Sequence, residues 1–211
     1  MKFICDLDGT IIDSTNRIYT LFSNLIHPKL IQYERFISDK RAGKSNDLIL
    51  KTIFGYKTDH LSNFQKQWSE LIESRVYIKY NVLFPFSIEA LSILKSFGEI
   101  YLVSNRQKKD VLLNELQQLG LWDFFSLVLA TEHKKTKVEL IIEQNIINNK
   151  ADLYMIGDTG EDIIAAKDLG IKSVAVKSGH RNELCLRSYQ PDYIFENLSS
   201  FTDFIKNNNW R

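Results

Sequence analysis

The sequence predicts an α/β fold in which a doubly wound, Rossmann-like parallel sheet of three-layer type carries an inserted helical cap domain. From residue 84 onward, short apolar runs alternate with amphipathic stretches of helical length, as in a sheet with crossover helices. Residues 14–83, between the first apolar run and the rest, contain helical patterns and almost no strand-like run. We therefore expect a core of residues 1–13 and 84–211 and a cap of residues 14–83.

The expected strands are short and rich in β-branched or aromatic residues, which suits strands that are buried on both faces. They are KFIC (2–5), EIYLVS (99–104), LVLA (127–130), LYMIG (153–157), SVAV (173–176) and DYIF (192–195). One lies at the N-terminus and the others follow residue 84, so the crossovers between parallel neighbours should be right-handed.

Glycines and a capping box in the sequence predict where the core helices begin or end. Helices 88–97, 111–119 and 162–169 should end at Gly98, Gly120 and Gly170, because glycine adopts the left-handed backbone geometry beyond a helix without penalty. Thr136 followed by Glu139 predicts a capping box that opens a helix over 137–148.

The insertion reads as four helices, at 15–26, 33–38, 45–54 and 61–80, with breaks at Pro28 and Gly55. Its large aromatic residues are expected to form its own core and not a cage for a substrate. They are Phe22, Phe36, Phe54 and Trp68.

Composition excludes several classes of protein. Lys plus Arg number 27 against 26 Asp plus Glu, which gives a net charge of +1. This nearly neutral balance does not indicate binding to nucleic acid or to an anionic membrane. No apolar run approaches the roughly 18 residues that span a bilayer, and Asp6 and Asp8 interrupt any signal-peptide core. Two cysteines and four scattered histidines give no disulfide framework or metal-binding pair. We expect a reduced, cytoplasmic, soluble protein with no nucleic-acid or membrane partner; the oligomeric state stays unknown.

Polar residues follow three of the expected strands at the point where each ends. Asp6 and Asp8 follow the first strand, Ser104 and Asn105 the second, and Asp158 the strand at 153–157. Ligands of open α/β sheets bind beyond the carboxyl ends of the strands, where the strand order reverses. The sequence therefore predicts a site at this edge of the sheet.

The residue types indicate the chemistry of that site. Carboxylates about 4 Å apart repel each other by about 4 kcal/mol at intermediate dielectric, so three of them need a cation. Mg²⁺ prefers oxygen ligands and is usually held by one or two carboxylates, waters and substrate oxygens. A phosphate held by metal, lysine and hydroxyl is the natural substrate.

These residues form a pattern that resembles the four motifs of the haloacid dehalogenase-like hydrolase superfamily. The motifs are DLDGT (6–10), SN (104–105), a lysine before a helix near 137, and GDTGED (157–162). The likeness runs along nearly the full chain. The stretch from Asp158 to PDYIFENL resembles the phosphoglycolate phosphatase-like branch, and the insertion is similar to the small helical cap of that branch.

The resemblance implies a catalytic role for four residues and a substrate contact by Asn105. Asp6 would be the nucleophile that forms an aspartyl-phosphate. Asp8 would protonate the leaving oxygen and then deprotonate the attacking water. Ser104 and the amide of Asn105 would hold the phosphoryl group, and Lys137 would neutralise its charge.

The motif lysine has an alternative, because many relatives have Lys-Pro where this chain has no proline. Lys134, Lys135 and Lys137 are all near the expected position. Lys137 opens KVELI, which fits relatives that have Lys-x-Glu-x-Ile, and is therefore favoured over Lys135.

The resemblance also implies a metal site. Asp6, the backbone carbonyl of Asp8, and Asp158 would bind Mg²⁺, with Asp162 supporting them as a further carboxylate.

Substrate contacts are expected in two further segments. Gly9 would permit the tight turn that brings N–H groups to the phosphoryl oxygens, beside Thr10. In the insertion, Gly43, Lys44 and Ser45 precede a helix and could hold a second anionic group on the substrate. The alternative for that loop is an exposed turn in which Ser45 merely caps the helix.

Taken with the resemblance, the sequence predicts a Mg²⁺-dependent phosphatase that hydrolyses a small phosphorylated metabolite, with phosphoglycolate-like monoesters first. Asp8 argues against dehalogenase chemistry, and Ile18, at the place of a mutase histidine, argues against a phosphomutase. Pyrophosphatase, nucleotidase and phosphonatase activities stay open. A non-catalytic regulator that binds a phospholigand is the alternative from another class.

Overall fold

The computed structural model describes residues 1–147 and 152–208. Its first half contains β1 (Lys2–Cys5), β2 (Ile12–Asp13), α1 (Thr15–Ile26), α2 (Tyr33–Arg41), α3 (Asn46–Phe54), α4 (Thr58–Leu71), α5 (Arg75–Ile78) and β3 (Val82–Leu83). Its second half contains α6 (Ser87–Phe97), β4 (Glu99–Ser104), α7 (Lys109–Gln118), a 3₁₀ turn (Trp122–Phe124), β5 (Leu127–Ala130), α8 (Lys137–Glu143), β6 (Leu153–Gly157), α9 (Gly160–Leu169), β7 (Lys172–Val176), α10 (Glu183–Ser188), β8 (Tyr193–Phe195) and α11 (Leu198–Asn207).

The core is a six-stranded sheet in the order β5-β4-β1-β6-β7-β8. Each neighbouring pair is parallel, which confirms the predicted fold class and the position of every predicted strand. The N-terminal strand lies at the centre, where Cys5 is in register with Leu102 on one side and Ile156 on the other. The strand order reverses at β1, so its carboxyl end opens at the place where such sheets bind ligands.

Helices cover both faces of the sheet and give it three layers. Alternate residues of β1 point to opposite faces, so Phe3 and Cys5 lie in one fully buried cluster and Ile4 in another. The first cluster packs beneath α6, α7 and α11, and the second beneath α8 and α9. Both faces of β1 are therefore shielded from water, which leaves its end as the exposed polar part.

Helices α1 to α5 pack around an apolar cluster of their own, in which Phe22 and Phe36 are fully buried and Trp68 is partly buried. Where the chain leaves and re-enters the sheet core, β2 and β3 pair antiparallel, with Ile12 opposite Leu83. The five helices are thus connected to the sheet core through the paired strands β2 and β3.

Three details of the insertion differ from the sequence prediction. The stretch 61–80 is two helices, α4 and α5, with residues 72–74 between them, and the helix predicted at 33–38 continues to Arg41. The pairing of β2 with β3 was not expected, because two-residue strands leave no periodic pattern.

Two of the three glycines predicted to end helices have the predicted backbone geometry. Gly120 and Gly170 have φ values of 67° and 66°, the left-handed geometry that was predicted. Gly98 does not: its φ of 168° is extended backbone. A Cβ at Gly98 would overlap the carbonyl oxygen of Met1, so close approach of the chain, and not helix-end geometry, requires glycine here.

The capping box of α8 is confirmed, since the Thr136 hydroxyl accepts from the Glu139 amide and the Glu139 carboxylate accepts from the Thr136 amide. The helix ends at Glu143, so the predicted end at Asn148 was wrong: residues 144–147 are not helical, and residue 148 itself lies outside the described residues. Within the described ranges, no helix is both long enough and apolar enough to cross a lipid bilayer.

Candidate active site

The carboxyl ends of three adjacent strands bring the predicted site residues together. Asp6 directly follows β1, Ser104 ends β4 and Asp158 directly follows β6. The Asp6 amide donates to the Ile156 carbonyl at 2.9 Å, which extends the β1–β6 pairing to the start of the loop. Parallel pairing therefore sets the distance between these side chains.

Three carboxylates form a buried cluster at this edge. Asp6, Asp158 and Asp162 each offer an oxygen, and these oxygens lie within 4.8 Å of one another. Burial raises the pKa of Asp6 and of Asp158, and each neighbouring carboxylate raises it further. Such a cluster is unfavourable without a neighbouring positive charge, which is why the sequence predicts a cation here.

Lys137 supplies one positive charge. Its Nζ donates to Asp6 Oδ1 at 2.8 Å and to Asp162 Oδ1 at 2.6 Å. Burial alone would lower the pKa of this lysine, but Asp162 and Asp6 outweigh it and hold the pKa above its ordinary value. Lys135, the alternative, bonds instead to Glu143 on the surface at 2.6 Å. The structure therefore places Lys137, and not Lys135, beside Asp6.

Asp162 serves two local structures at once. Its Oδ1 accepts from Lys137, while its Oδ2 accepts from the Thr159 amide at 3.3 Å and hydroxyl at 2.9 Å. The Thr159 contacts are the capping box of α9. Because both oxygens already accept from protein donors, Asp162 holds the Lys137 ammonium in place; its predicted role beside a metal stays a prediction.

Asp158 has an oxygen that suits a cation. Its Oδ2 accepts from the His180 amide at 2.6 Å, whereas Oδ1 is buried and has no hydrogen-bond partner in the described part of the chain. A buried carboxylate oxygen without a partner is costly. Together with the oxygen donors of Asp6, this unpaired atom fits a hard divalent cation such as Mg²⁺.

The carboxylate of Asp8 faces two arginines. Arg17 Nη2 donates to Oδ1 at 2.7 Å, and Arg106 donates to Oδ2 from Nε at 2.6 Å and to Oδ1 from Nη2 at 3.1 Å. Burial would raise the pKa of Asp8, but Arg106 and Arg17 outweigh it and hold the pKa well below its ordinary value. Neither arginine was predicted from the sequence; the available signal was that Arg106 directly follows the Ser-Asn motif.

A wider network anchors Arg106. Its Nη2 lies 3.0 Å from Glu115 Oε2, and the other oxygen of Glu115 accepts from Asn81 at 2.5 Å. All three side chains are buried. This chain of contacts ties the end of the insertion, at Asn81, to the loop after β4.

Gly9 and Thr10 lie in the turn after β1. Gly9 has a φ of 82°, and a Cβ there would overlap the Asp158 carboxylate, so only glycine fits. Its N–H donates to the Ile12 carbonyl at 2.7 Å, and the Thr10 amide donates to the Leu7 carbonyl at 3.3 Å. Both amides thus close the loop itself, and substrate contacts by these two residues stay a prediction.

Ser104 and Asn105 lie where the second motif was expected. Ser104 is buried and borders the same cavity as Asp6 and Asp8. Asn105 is exposed, and its side-chain amide donates to Glu161 at the start of α9.

This cavity has a volume of about 410 Å³. The insertion contributes Arg17, Trp68 and Glu73 to its walls. Trp68 therefore both packs against the apolar cluster of the insertion and lines the cavity. Glu73 accepts from the amides of Gln107 at 2.7 Å and Lys108 at 2.9 Å, just before α7, and so joins the insertion to the core.

The loop at 43–45 lies apart from these walls. Lys44 is not among the described residues that line the cavity, and its Nζ bonds to Asp39 at 2.8 Å. Ser45 caps α3 by accepting from the Leu48 amide at 3.1 Å. These contacts agree with the alternative interpretation of the loop as a helix cap.

The loop after β7 adds His180 and Arg181, which sequence analysis did not select. The His180 ring lies 3.0 Å from the Ser14 hydroxyl, and burial lowers its pKa to about 4, so the ring is neutral at physiological pH. Arg181 donates to the carbonyls of Lys40 and His180 at 2.9 and 3.0 Å and lines the cavity.

Comparison with known families gives one match that covers most of the chain. The family described as haloacid dehalogenase-like hydrolase matches residues 3–176. This range includes Asp6, Ser104, Lys137 and Asp158.

Named relatives match over nearly the whole length. A phosphoglycolate phosphatase of Vibrio vulnificus (strain YJ016) is 26% identical over 95% of this chain and 93% of its own. The pyrophosphatase PpaX of Halalkalibacterium halodurans is 25% identical over 95% of this chain and 94% of its own. A solved haloacid dehalogenase-like family hydrolase from Streptococcus pneumoniae has a TM-score of 0.79 at 22% identity, over 97% of both chains. That last likeness concerns the fold alone.

Proposed function

The chain belongs to the haloacid dehalogenase-like hydrolase family, and on this premise we propose that it is a Mg²⁺-dependent phosphatase acting on a small phosphorylated metabolite. Phosphoglycolate-like monoesters are the leading class, in line with the name of the Vibrio relative. The observation that carries the proposal is the contact of Lys137 with Asp6 beside the unpaired oxygen of Asp158. This arrangement supports a nucleophilic carboxylate held next to a cation site.

Asp6, the backbone carbonyl of Asp8, and Asp158 would hold Mg²⁺. When bound there, the ion would offset the carboxylate charge and the negative charge of the phosphoryl oxygens. Lys137 adds a fixed positive charge on the same side, and Asp162 keeps its ammonium directed at Asp6.

In the first step, an oxygen of Asp6 attacks phosphorus and the bond from phosphorus to the leaving oxygen breaks. The leaving oxygen takes a proton from Asp8, so the leaving group departs with a hydroxyl at that oxygen and an aspartyl-phosphate remains on Asp6. Ser104, buried beside Asp6, would donate a hydrogen bond to the transferring phosphoryl group.

In the second step, Asp8 takes a proton from a water molecule, whose oxygen attacks phosphorus and restores Asp6 as phosphate leaves. The bonds from Arg17 and Arg106 favour the ionised form of Asp8, which this second step requires. The first step requires the protonated form, so we infer that substrate binding loosens at least one of these arginine contacts.

We also propose that residues 14–83 act as a cap over a catalytic core of residues 1–13 and 84–211. Their separate apolar cluster and their attachment through β2 and β3 support this division. Glu73 and Arg17 contact the core loops beside Asp8, which is where a cap would sense substrate.

Pyrophosphate is the second candidate substrate, because the PpaX relative matches over a similar share of the chain. Nucleotidase and phosphonatase activities have no specific support in the described residues. Action in the cytoplasm and the lack of a nucleic-acid partner stay predictions of the sequence.

Hydrolysis of p-nitrophenyl phosphate by the purified protein, with and without Mg²⁺, tests the proposed function. We expect turnover that requires Mg²⁺. Binding of phosphate compounds without any turnover under these conditions would instead support the non-catalytic regulator.

A further inference from the structure

Two arginines from different parts of the chain meet at Asp8. Arg17 belongs to α1 in the insertion, and Arg106 belongs to the loop after β4. Their donors lie 2.7 and 2.6 Å from the two oxygens of the same carboxylate. Since Asp8 is the residue proposed to exchange a proton with the leaving oxygen, both guanidinium groups lie on the leaving-group side of the cavity.

Some N–H donors of these guanidinium groups have no hydrogen-bond acceptor in the described part of the chain. Arg17 and Arg106 are only 5% and 3% exposed, and both line the cavity. Nε and Nη1 of Arg17 and Nη1 of Arg106 are buried without a hydrogen-bond partner among residues 1–147 and 152–208. Burying a charged N–H donor without an acceptor is unfavourable, so these three atoms point to an acceptor that enters the cavity with a ligand.

The ion pairs of the two arginines differ. Arg106 has a second carboxylate partner in Glu115, whereas Asp8 is the one carboxylate that pairs with Arg17 within 4.0 Å in the described ranges; Glu73 also lines the cavity but forms no such pair with either arginine there. Arg181, which lines the same cavity, bonds to backbone carbonyls and to no carboxylate in that part of the chain. A guanidinium group offers a planar fork of donors that matches a carboxylate or a phosphate.

The loop that the sequence suggested for this role has different partners. Lys44 is paired with Asp39, which also accepts from Arg35 at 2.9 Å. Its charge is therefore already matched within the insertion.

We propose that Arg17 and Arg106 form an anion subsite for the leaving group, so that this enzyme prefers substrates whose leaving group carries its own negative charge. The inference rests on the proposed function and narrows its substrate class. A carboxylate, as in 2-phosphoglycolate, and a phosphate, as in pyrophosphate, share the required chemistry. Phosphate esters of neutral alcohols lack it.

The test compares substrates of similar size in the presence of Mg²⁺. 2-Phosphoglycolate and pyrophosphate have charged leaving groups, whereas 2-hydroxyethyl phosphate has a neutral one. Because charge-assisted hydrogen bonds are strong, kcat/KM of the wild-type protein should be at least about tenfold higher for one charged substrate than for 2-hydroxyethyl phosphate. Whichever of the two charged substrates has the higher kcat/KM shows whether the subsite prefers a carboxylate or a phosphate on the leaving group.

The variant Arg17→Gln should reduce that preference at least about tenfold, with most of the loss in kcat/KM of the charged substrate. Arg187→Gln is the matched control, since Arg187 is 64% exposed on α10 and bonds to Glu183. It should keep the wild-type preference. Should Arg17→Gln fail to fold, Arg106→Gln is measured in its place and should show the same loss of preference.

Three results would overturn the subsite. They are equal kcat/KM for charged and neutral leaving groups, an equal loss on all substrates in Arg17→Gln, or a preference that is lost in Lys44→Ala instead. An equal loss would mean that Arg17 acts only by positioning Asp8. Any of these results with continued hydrolysis of p-nitrophenyl phosphate leaves the proposed function intact, whereas no hydrolysis of any substrate removes the function itself.

Discussion

The Nζ atom of Lys137 lies 2.8 Å from Oδ1 of Asp6, although 131 positions separate the two residues in the chain. Lys137 is the first residue of α8, whose start is fixed by the Thr136 capping box, and Asp6 is fixed by the end of the central strand. Two local structures that the sequence specifies independently therefore set this distance. The contact gives the buried carboxylate a cation before any substrate arrives.

The first prediction separates the two candidate lysines. Lys137→Ala should lower kcat for p-nitrophenyl phosphate by about 100-fold or more, because it removes a fixed charge from the reacting group. Lys135→Ala is the matched control, since Lys135 is 46% exposed and bonds to Glu143. It should stay within about twofold of wild type, as surface ion pairs contribute little. The reverse order of effects would make Lys135 the motif lysine.

The second prediction concerns the nucleophile. Asp6→Asn should abolish measurable turnover while the circular dichroism spectrum and cooperative unfolding are kept, because an amide cannot form the acyl-phosphate. Asp59→Asn, on the exposed surface of α4, makes the same chemical change away from the cavity and should be fully active. An Asp6→Asn enzyme with wild-type kcat would remove Asp6 from the nucleophilic role.

The third prediction is that Mg²⁺ stabilises the fold. At about 100 times its Kd, a ligand that binds only the folded state adds about 2.7 kcal/mol, which corresponds to a rise in Tm of about 5–10 °C. Asp158→Asn should remove this rise, whereas Asp168→Asn, which makes the same chemical change on the exposed surface of α9, should keep it. Thermal unfolding with and without Mg²⁺ measures both. A rise that survives in Asp158→Asn would place the metal elsewhere.

The fourth prediction is a pH dependence far from the site. Asp192 Oδ2 accepts from the Ser173 hydroxyl at 2.6 Å and amide at 2.7 Å, at the β7–β8 edge. Burial would raise the pKa of Asp192, but these bonds outweigh it and lower the pKa. A lowered pKa stabilises the fold above the unfolded value of about 3.9, and this stabilisation is lost as pH falls through the lower folded value.

Because Asp192 is exposed and water screens its charge, Asp192→Asn should reduce the free energy of unfolding by less than about 1 kcal/mol at pH 7, and by progressively less as the pH falls below about 4. Urea unfolding of both proteins across this range measures the difference. A difference that stays constant with pH would show that the charge of Asp192 contributes nothing.

Local signals in the sequence were enough to predict the sheet and the carboxylates at its edge. The six apolar runs became the six strands, and the ends of β1, β4 and β6 met because parallel strands end on one side. The capping box placed α8, and with it Lys137, to within one residue.

The features that the sequence could not show depend on how the insertion docks on the core. The break between α4 and α5 has no Gly or Pro to mark it; Glu73 lies in this break, and its carboxylate accepts from the amides of Gln107 and Lys108. Arg17 meets Asp8 for the same reason, since α1 must first pack over the sheet edge. Nothing in the periodicity of α1 distinguishes Arg17 from a solvent-exposed arginine.

A crystal structure of the protein with Mg²⁺ and orthovanadate, a mimic of phosphoryl transfer, tests the central claim most directly. We predict vanadium bonded to a carboxylate oxygen of Asp6, Mg²⁺ bound by Asp6 and Asp158, and Lys137 in contact with a vanadate oxygen. Vanadate and Mg²⁺ bound away from Asp6, with Asp158 bonded to neither, would contradict the account.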